Sequence, residues 1–315
     1  MKRCILSLFA LSLIVSCSKD NTDGGQPIEE TVVLPKKVVE HYTRINRENG
    51  VESEIPYVQE ENYEIVNNKV LSATFNLFEN KVQIASSKFT TTYENNLPKT
   101  STTIDLLKKK EKETSTLKYA NGKLIEEVQE QQTDNAKIVN TTLYKYSGDK
   151  LVEIQNTRSD SGLKLPQKIT FTYPSATEIK KVEASSYISG DKEIPQTNTT
   201  TYTLDAEKRV VKSVEESDDS TIVEEYQYDN KNNYRLRPIT FVVHPDYFIN
   251  EKFMKNNLLS KKRTYTDKQN SQHNETETTT YTYQYNDKDY PTRIEEVYKS
   301  SRETNSKTKT TEITY

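Results

Sequence analysis

Tryptophan is absent from this chain, and histidine, cysteine and glycine are scarce, at three, two and seven of 315 residues. Both cysteines, Cys4 and Cys17, fall within the first 17 residues. The remainder can therefore form no internal disulfide and no cysteine-ligated metal site. His41, His244 and His273 are scattered, without the close spacing that paired metal ligands need. Glycine-rich phosphate loops and the Gly-x-Ser-x-Gly nucleophile turn are also missing. No metal, cofactor or catalytic residue is therefore expected. The 44 basic and 47 acidic residues are interspersed. With no basic stripe, nucleic acid is not an expected partner.

The one long apolar run is at the start, where MKRCILSLFALSLIVSC sets Lys2 and Arg3 before Ile5 to Val15. This is the layout of a secretory leader, too short for a permanent spanning helix. Its end, Leu-Ile-Val-Ser-Cys, resembles the lipobox of bacterial lipoproteins, which implies cleavage before Cys17 and acylation of that residue with palmitate-type chains. Several chains at roughly 0.8 kcal/mol per buried CH₂ would hold a domain firmly to a membrane. Ser18, Lys19 and Asp20 resemble the short export signal of surface lipoproteins in the Bacteroidota. The polar stretch that follows, with Gly24, Gly25 and Pro27, reads as a flexible tether. The expected organisation is a signal peptide over 1–16, lipidated cysteine and tether over 17–30, and one domain over 31–315 with an irregular insertion around 235–259.

Hydrophobic residues are only 32% of the chain, and 21 of them are tyrosine, which by composition alone suggests disorder. Their order says otherwise. Tyr93, Tyr119, Tyr146, Tyr173, Tyr228, Tyr285 and Tyr315 each close a strand-like stretch, and Leu204 and Met254 fill the gaps as weaker copies. The period is about 28 residues, the mark of a repeat architecture. Within each copy apolar and polar residues alternate, as in Tyr281, Tyr283 and Tyr285 against Thr280, Thr282 and Gln284, the period of a half-buried strand. Asn121-Gly122 is a strong two-residue hairpin signal. The fold class is all-β: antiparallel hairpins in series, forming one long meander that is either a curved open sheet or a soluble barrel-like shape. The tyrosines are expected to form a core ladder with their hydroxyls near water, and Thr, Lys and Glu to cover the other face.

YQYDNKNN, YTYQYNDKDYPTRI and the final TEITY resemble the YD-type repeats of bacterial surface proteins. They also resemble a family of Bacteroidota lipoproteins, without assigned activity, that has a porin-like β fold. The resemblance implies a fold and carries over no catalytic residue. With the leader and lipobox, and with no catalytic constellation in the chain, the expectation is a lipid-anchored outer-membrane protein, facing the exterior, that acts as a non-enzymatic binding or accessory protein through its tyrosine-rich sheet or the 235–259 insertion. A glycan, a polypeptide or an outer-membrane transporter would be its partner. A second expectation is a hydrolase of extracellular polymers that uses paired carboxylates. The acidic run Glu215 to Asp219 and the His244-Pro245-Asp246 stretch read as solvated turns.

Overall fold

The structure, a computed structural model, describes residues 33–315 apart from 49–50, 109–111, 133–136, 161–162, 190–191, 236–246, 251–253 and 304–305. The leader, Cys17, the Ser18, Lys19, Asp20 segment and His244 thus lie outside the described residues.

The strands are β1 (Lys37–Glu48), β2 (Val51–Val66), β3 (Lys69–Glu79), β4 (Val82–Glu94), β5 (Leu97–Asp105), β6 (Lys112–Ala120), β7 (Lys123–Gln132), β8 (Lys137–Ser147) and β9 (Lys150–Asp160). They continue as β10 (Leu163–Ser175), β11 (Glu178–Ser189), β12 (Lys192–Leu204), β13 (Val210–Glu216), β14 (Ser220–Asn232), β15 (Asn256–Asp267), β16 (Glu275–Tyr285), β17 (Pro291–Ser300) and β18 (Lys307–Thr314). Every strand pairs with its neighbours in the chain, and β1 also pairs antiparallel with β18, Lys37 opposite Thr314. The 18-stranded sheet is therefore a closed barrel. The open-sheet expectation is corrected: closure pairs the two edges whose backbone groups would otherwise invite association.

The turns explain how a glycine-poor chain makes hairpins. Asn121-Gly122 has both residues left-handed, at φ 52° and 74°, and Asn67-Asn68, Asn80-Lys81 and Asn95-Asn96 do the same. Two successive positive φ angles match the twist of the flanking strands, and asparagine tolerates them better than other side chains.

The repeated tyrosine has a defined chemistry. Beside it the strand register slips, as between Thr92 and Tyr93, Lys118 and Tyr119, Lys145 and Tyr146, and Gln227 and Tyr228. Such a bulge disrupts the backbone ladder. The tyrosine hydroxyl crosses to the preceding strand and donates to a carbonyl there: Tyr93 to Val70 at 2.9 Å, Tyr146 to Leu124 at 2.9 Å, Tyr173 to Leu151 at 2.7 Å and Tyr228 to Val210 at 2.7 Å. The residue just before each acceptor is a cation set over the same ring, namely Lys69, Lys123, Lys150 and Arg209, at 4.6–5.4 Å from the ring centres. The core ladder is thus real, but these hydroxyls serve buried carbonyls rather than water. The acid or amide that follows the tyrosine motif caps the turn. Asn286 accepts from the Lys288 and Tyr290 amides, and Asp229 from those of Lys231 and Asn257.

Register places the tyrosines on the inward face. Outward stand Thr276, Thr278, Thr280 and Thr282 of β16, and cross-strand pairs such as Lys118 with Glu126 at 2.6 Å and Lys168 with Glu153 at 2.7 Å. The described residues between β14 and β15 turn into the bore at the tyrosine end. Among them, Tyr234 packs with Val38, Ile294 and Ile313, and Arg235 reaches Glu40 of β1 at 3.8 Å. Phe248, in the middle of the 3-10 turn Tyr247–Ile249, sits on Phe171 and Tyr173 of β10 at 5.9 and 6.4 Å. In a closed ring of 18, β1 and β10 are diametrically opposite. The described residues Tyr234, Arg235, Phe248 and Met254 therefore touch both sides of the bore and form a plug of side chains at that end. Met254, expected as a weak strand end, is instead a buried part of this plug core.

Candidate functional site

An 18-stranded barrel is wide enough for an aqueous bore. Here the plug occupies the tyrosine end, so the site to examine is the inward face between the plug and the opposite mouth. Its two halves differ in chemistry.

On one half, β13 to β18 with β1 and β2, charges are paired. Lys261 meets Glu224 at 2.8 Å, and Tyr226 donates to the same carboxylate at 2.5 Å. Arg263 meets Glu277 at 3.2 Å, and Tyr298 donates to it at 2.5 Å. Lys309 lies between Glu296 at 3.0 Å and Glu40 at 3.5 Å. Burial alone would raise the Glu224 carboxyl; bonds from Lys261 and Tyr226 and the charges of Lys261 and Arg263 outweigh it and hold it below the usual range. Glu61, on β2, goes the other way. Burial raises its carboxyl and the charge of Glu40 adds to this, although Tyr63 and Gln59 donate to it.

The other half, β4 to β12, carries amides and hydroxyls. A single cross-strand row runs Thr91, Ser101, Ser115, Gln129, Asn140. Asn140 donates to Gln129 at 3.3 Å, and Gln129 to Glu113 at 2.8 Å. Asn156 donates to Gln167 at 3.1 Å, Gln167 donates to Glu183, and Lys181 meets Glu183 at 3.4 Å. Burial raises the Glu113 carboxyl, the bond from Gln129 opposes this, and Glu127 adds to it. Five buried side-chain oxygens have no hydrogen-bond partner among the described residues: those of Thr91, Tyr119, Asn140, Asn156 and Asn198. All five face inward, and all lie on this half.

A cavity of about 110 Å³ lies where the plug meets β15 to β18, lined in part by Asn233, Arg235, Tyr281, Tyr283, Glu296 and Lys309. Tyr281, Tyr283 and Tyr285 stack on one another at 6.4 and 5.7 Å, and the Tyr283 hydroxyl donates to the Leu258 carbonyl at 2.6 Å. Ring faces stacked in this way are turned toward each other, which favours the core reading of this row over a ligand platform.

No protein-family model and no curated protein matches the chain. Among solved structures, it is similar to a porin-like protein from Bacteroides uniformis, with 12% identity over 89% of this chain and 96% of that one, at a TM-score of 0.44. It is also similar to a porin-like protein from Bacteroides vulgatus, with 14% identity over 90% and 98% and a TM-score of 0.39.

Of the residues singled out from sequence, Glu215 points inward and Ser217 to Asp219 form the β13–β14 turn, where Lys268 donates to the Ser217 carbonyl. His273 is exposed, with Nδ1 2.9 Å from Asp267. The amide half escaped the sequence reading, yet a signal for it was present. Asn140 and Thr142 share parity with Tyr144 and Tyr146, and Ser115 shares it with Leu117 and Tyr119, so each strand's inward face turns polar away from its tyrosine.

Proposed function

We propose that the protein is an outer-membrane lipoprotein, anchored by Cys17 and facing the cell exterior, whose barrel stands in water as a cup. It holds a polar ligand without chemistry, alone or as an accessory to an outer-membrane transporter. The observation that carries this reading is the union of a plugged end with a polar lumen. Side chains set across one end of a polar lumen favour binding over conduction. The outward wall supports it too: threonines and Lys–Glu pairs are not the apolar band that a lipid-facing barrel presents. Both β1 and β18 meet the plugged end, Lys36 donating to the Thr314 carbonyl at 2.7 Å. The described chain before β1 joins the barrel at that end, and on this reading the mouth opens away from the anchoring membrane.

The test is detergent-phase partition of the native protein and of Cys17→Ala. The native form should enter the detergent phase, and the variant should move to the aqueous phase with its β-sheet circular dichroism intact. A folded variant that stays with detergent, or that conducts ions in planar bilayers, would overturn the reading.

A hydrolase is favoured by one feature. Glu40 and Glu61 are diagonal neighbours on β1 and β2, about 7–8 Å apart at the backbone, and the carboxyl of Glu61 is raised, as a general acid requires. Release of reducing ends from a polysaccharide, abolished in Glu61→Gln, would establish it.

A further inference from the structure

We infer that the inward face of β4 to β12 is a carbohydrate-binding wall, on which sugar hydroxyls meet the oxygens of Thr91, Asn140, Asn156 and Asn198. This deepens the cup reading and rests on it.

Buried polar atoms in folded proteins are nearly always hydrogen-bonded, and those that are not call for an explanation. Here the exceptions are not scattered. All five lie on one half of one face, while the facing half pairs its carboxylates with cations and tyrosines. The side-chain oxygen of Asn198 has no hydrogen-bond partner among the described residues. The row Thr91, Ser101, Ser115 is made of short side chains, each less than a tenth exposed. It is flanked by the taller Tyr93 and Leu117 toward the plug and by Phe89 and Glu113 toward the mouth. From Thr91 to Asn140 it crosses five strands, roughly 19 Å at about 4.8 Å per strand. The oxygens are recessed between those taller side chains.

The chemistry selects the ligand class. Three of the oxygens belong to amides and can only accept, so they need a donor, which excludes phosphates and carboxylates. The other two belong to hydroxyls, which can donate as well as accept. A sugar hydroxyl satisfies both kinds, whereas an ammonium group can only donate. A peptide that binds by adding a strand needs a free sheet edge, which this closed barrel does not offer among the described residues; a peptide held in the lumen is left to the test.

The test is calorimetric titration of the purified mature protein with neutral hexasaccharides of α- and β-linked glucose and of mannose. Spermine and an uncharged hexapeptide serve as the other arms. Binding of at least one hexasaccharide is expected, weakened tenfold or more in Asn140→Ala and in Asn198→Leu. Asn198→Leu should also raise the melting temperature of the unliganded protein by about 2 °C or more, because it removes a polar atom that the fold leaves unpaired; a merely structural asparagine would lower it. If only spermine or the peptide binds, the cup reading stands and the carbohydrate assignment falls. If none of the probes binds, neither stands. Hexasaccharide binding that both variants retain would also overturn the assignment.

Discussion

The two halves of the lumen face one another in the same barrel, are built from the same repeat, and settle their polar groups differently. From β13 round to β2, carboxylates such as Glu224, Glu277 and Glu296 each have a cation within 3.2 Å. From β4 to β12 the equivalent positions hold Ser115, Gln129, Asn140 and Asn198, and acceptors are left over. A charge inside a protein must find a counter-charge or lose its ionisation, so these carboxylates stay ionised beside their cations, whereas burial and the neighbouring Glu40 raise Glu61 toward its neutral form. An amide left with one free acceptor costs far less, roughly 1–3 kcal/mol, and a fold can carry several. The difference shows where a fold can leave polar groups unpaired: in neutral amides and hydroxyls rather than in charges.

The largest effect should come from the surface where the plug rests on the amide half. Phe171 is 3% exposed and carries Phe248. Phe171→Ala should cost about 3–5 kcal/mol in urea unfolding. It should also loosen the plug, read as faster hydrogen exchange around Ile249. A loss below about 1 kcal/mol would mean that the plug does not seat there.

Next is the charged half. Lys261→Met leaves Glu224 without its nearest cation. Both groups are about a quarter exposed, so the cost should be about 1–3 kcal/mol, below that of a fully buried pair. The pH dependence sharpens the comparison. Glu224 is held below its ordinary 4.5. Its stabilisation is therefore full above that value and is lost as pH falls through the lowered one. Lys261→Met should flatten this acid limb. Glu113 has the opposite sign. Its raised carboxyl costs stability that sets in as pH rises past the ordinary value. Glu113→Gln should therefore stabilise the protein at neutral pH and do little at pH 3. Stability measured against pH for the two variants would expose any error in this assignment, since parallel curves would mean that the halves are alike.

The smallest effect compares two copies of one repeat position. Tyr173 donates to the Leu151 carbonyl, whereas the buried hydroxyl of Tyr119 has no hydrogen-bond partner among the described residues. Tyr173→Phe should cost about 1–2 kcal/mol, and Tyr119→Phe should be neutral or stabilising. Equal losses in thermal melts would show that the hydroxyl–carbonyl bond is not what the repeat preserves.

How much of this was legible in the chain differs by feature. Alternation in Tyr281 to Gln284 and the Asn121-Gly122 pair identify strands and turns, because side-chain parity and positive φ are local properties of a few residues. The period of about 28 residues identifies the hairpin unit, and the acid or amide after each tyrosine marks its cap. Closure left no such trace. Pairing Val38 with Ile313 joins opposite ends of the chain, and an alternating strand reads the same in an open sheet as in a barrel. The direction taken by the segment after Asn232 was equally hidden. Phe248 and Met254 are apolar whether they cover a rim or enter a bore, and only a bore of this width, with Phe171 and Tyr173 on its far wall, draws them in. The unpartnered amides depend on both. Asn198 is a polar residue on an inward parity, and whether it finds a partner is decided by which strands the closed ring sets beside it. By itself the sequence determined the strand, the turn and the repeat, since those rest on neighbours a few residues apart. The tertiary structure alone decided inside from outside, the plug and the half of the lumen left with free acceptors, since those rest on contacts between residues far apart in the chain.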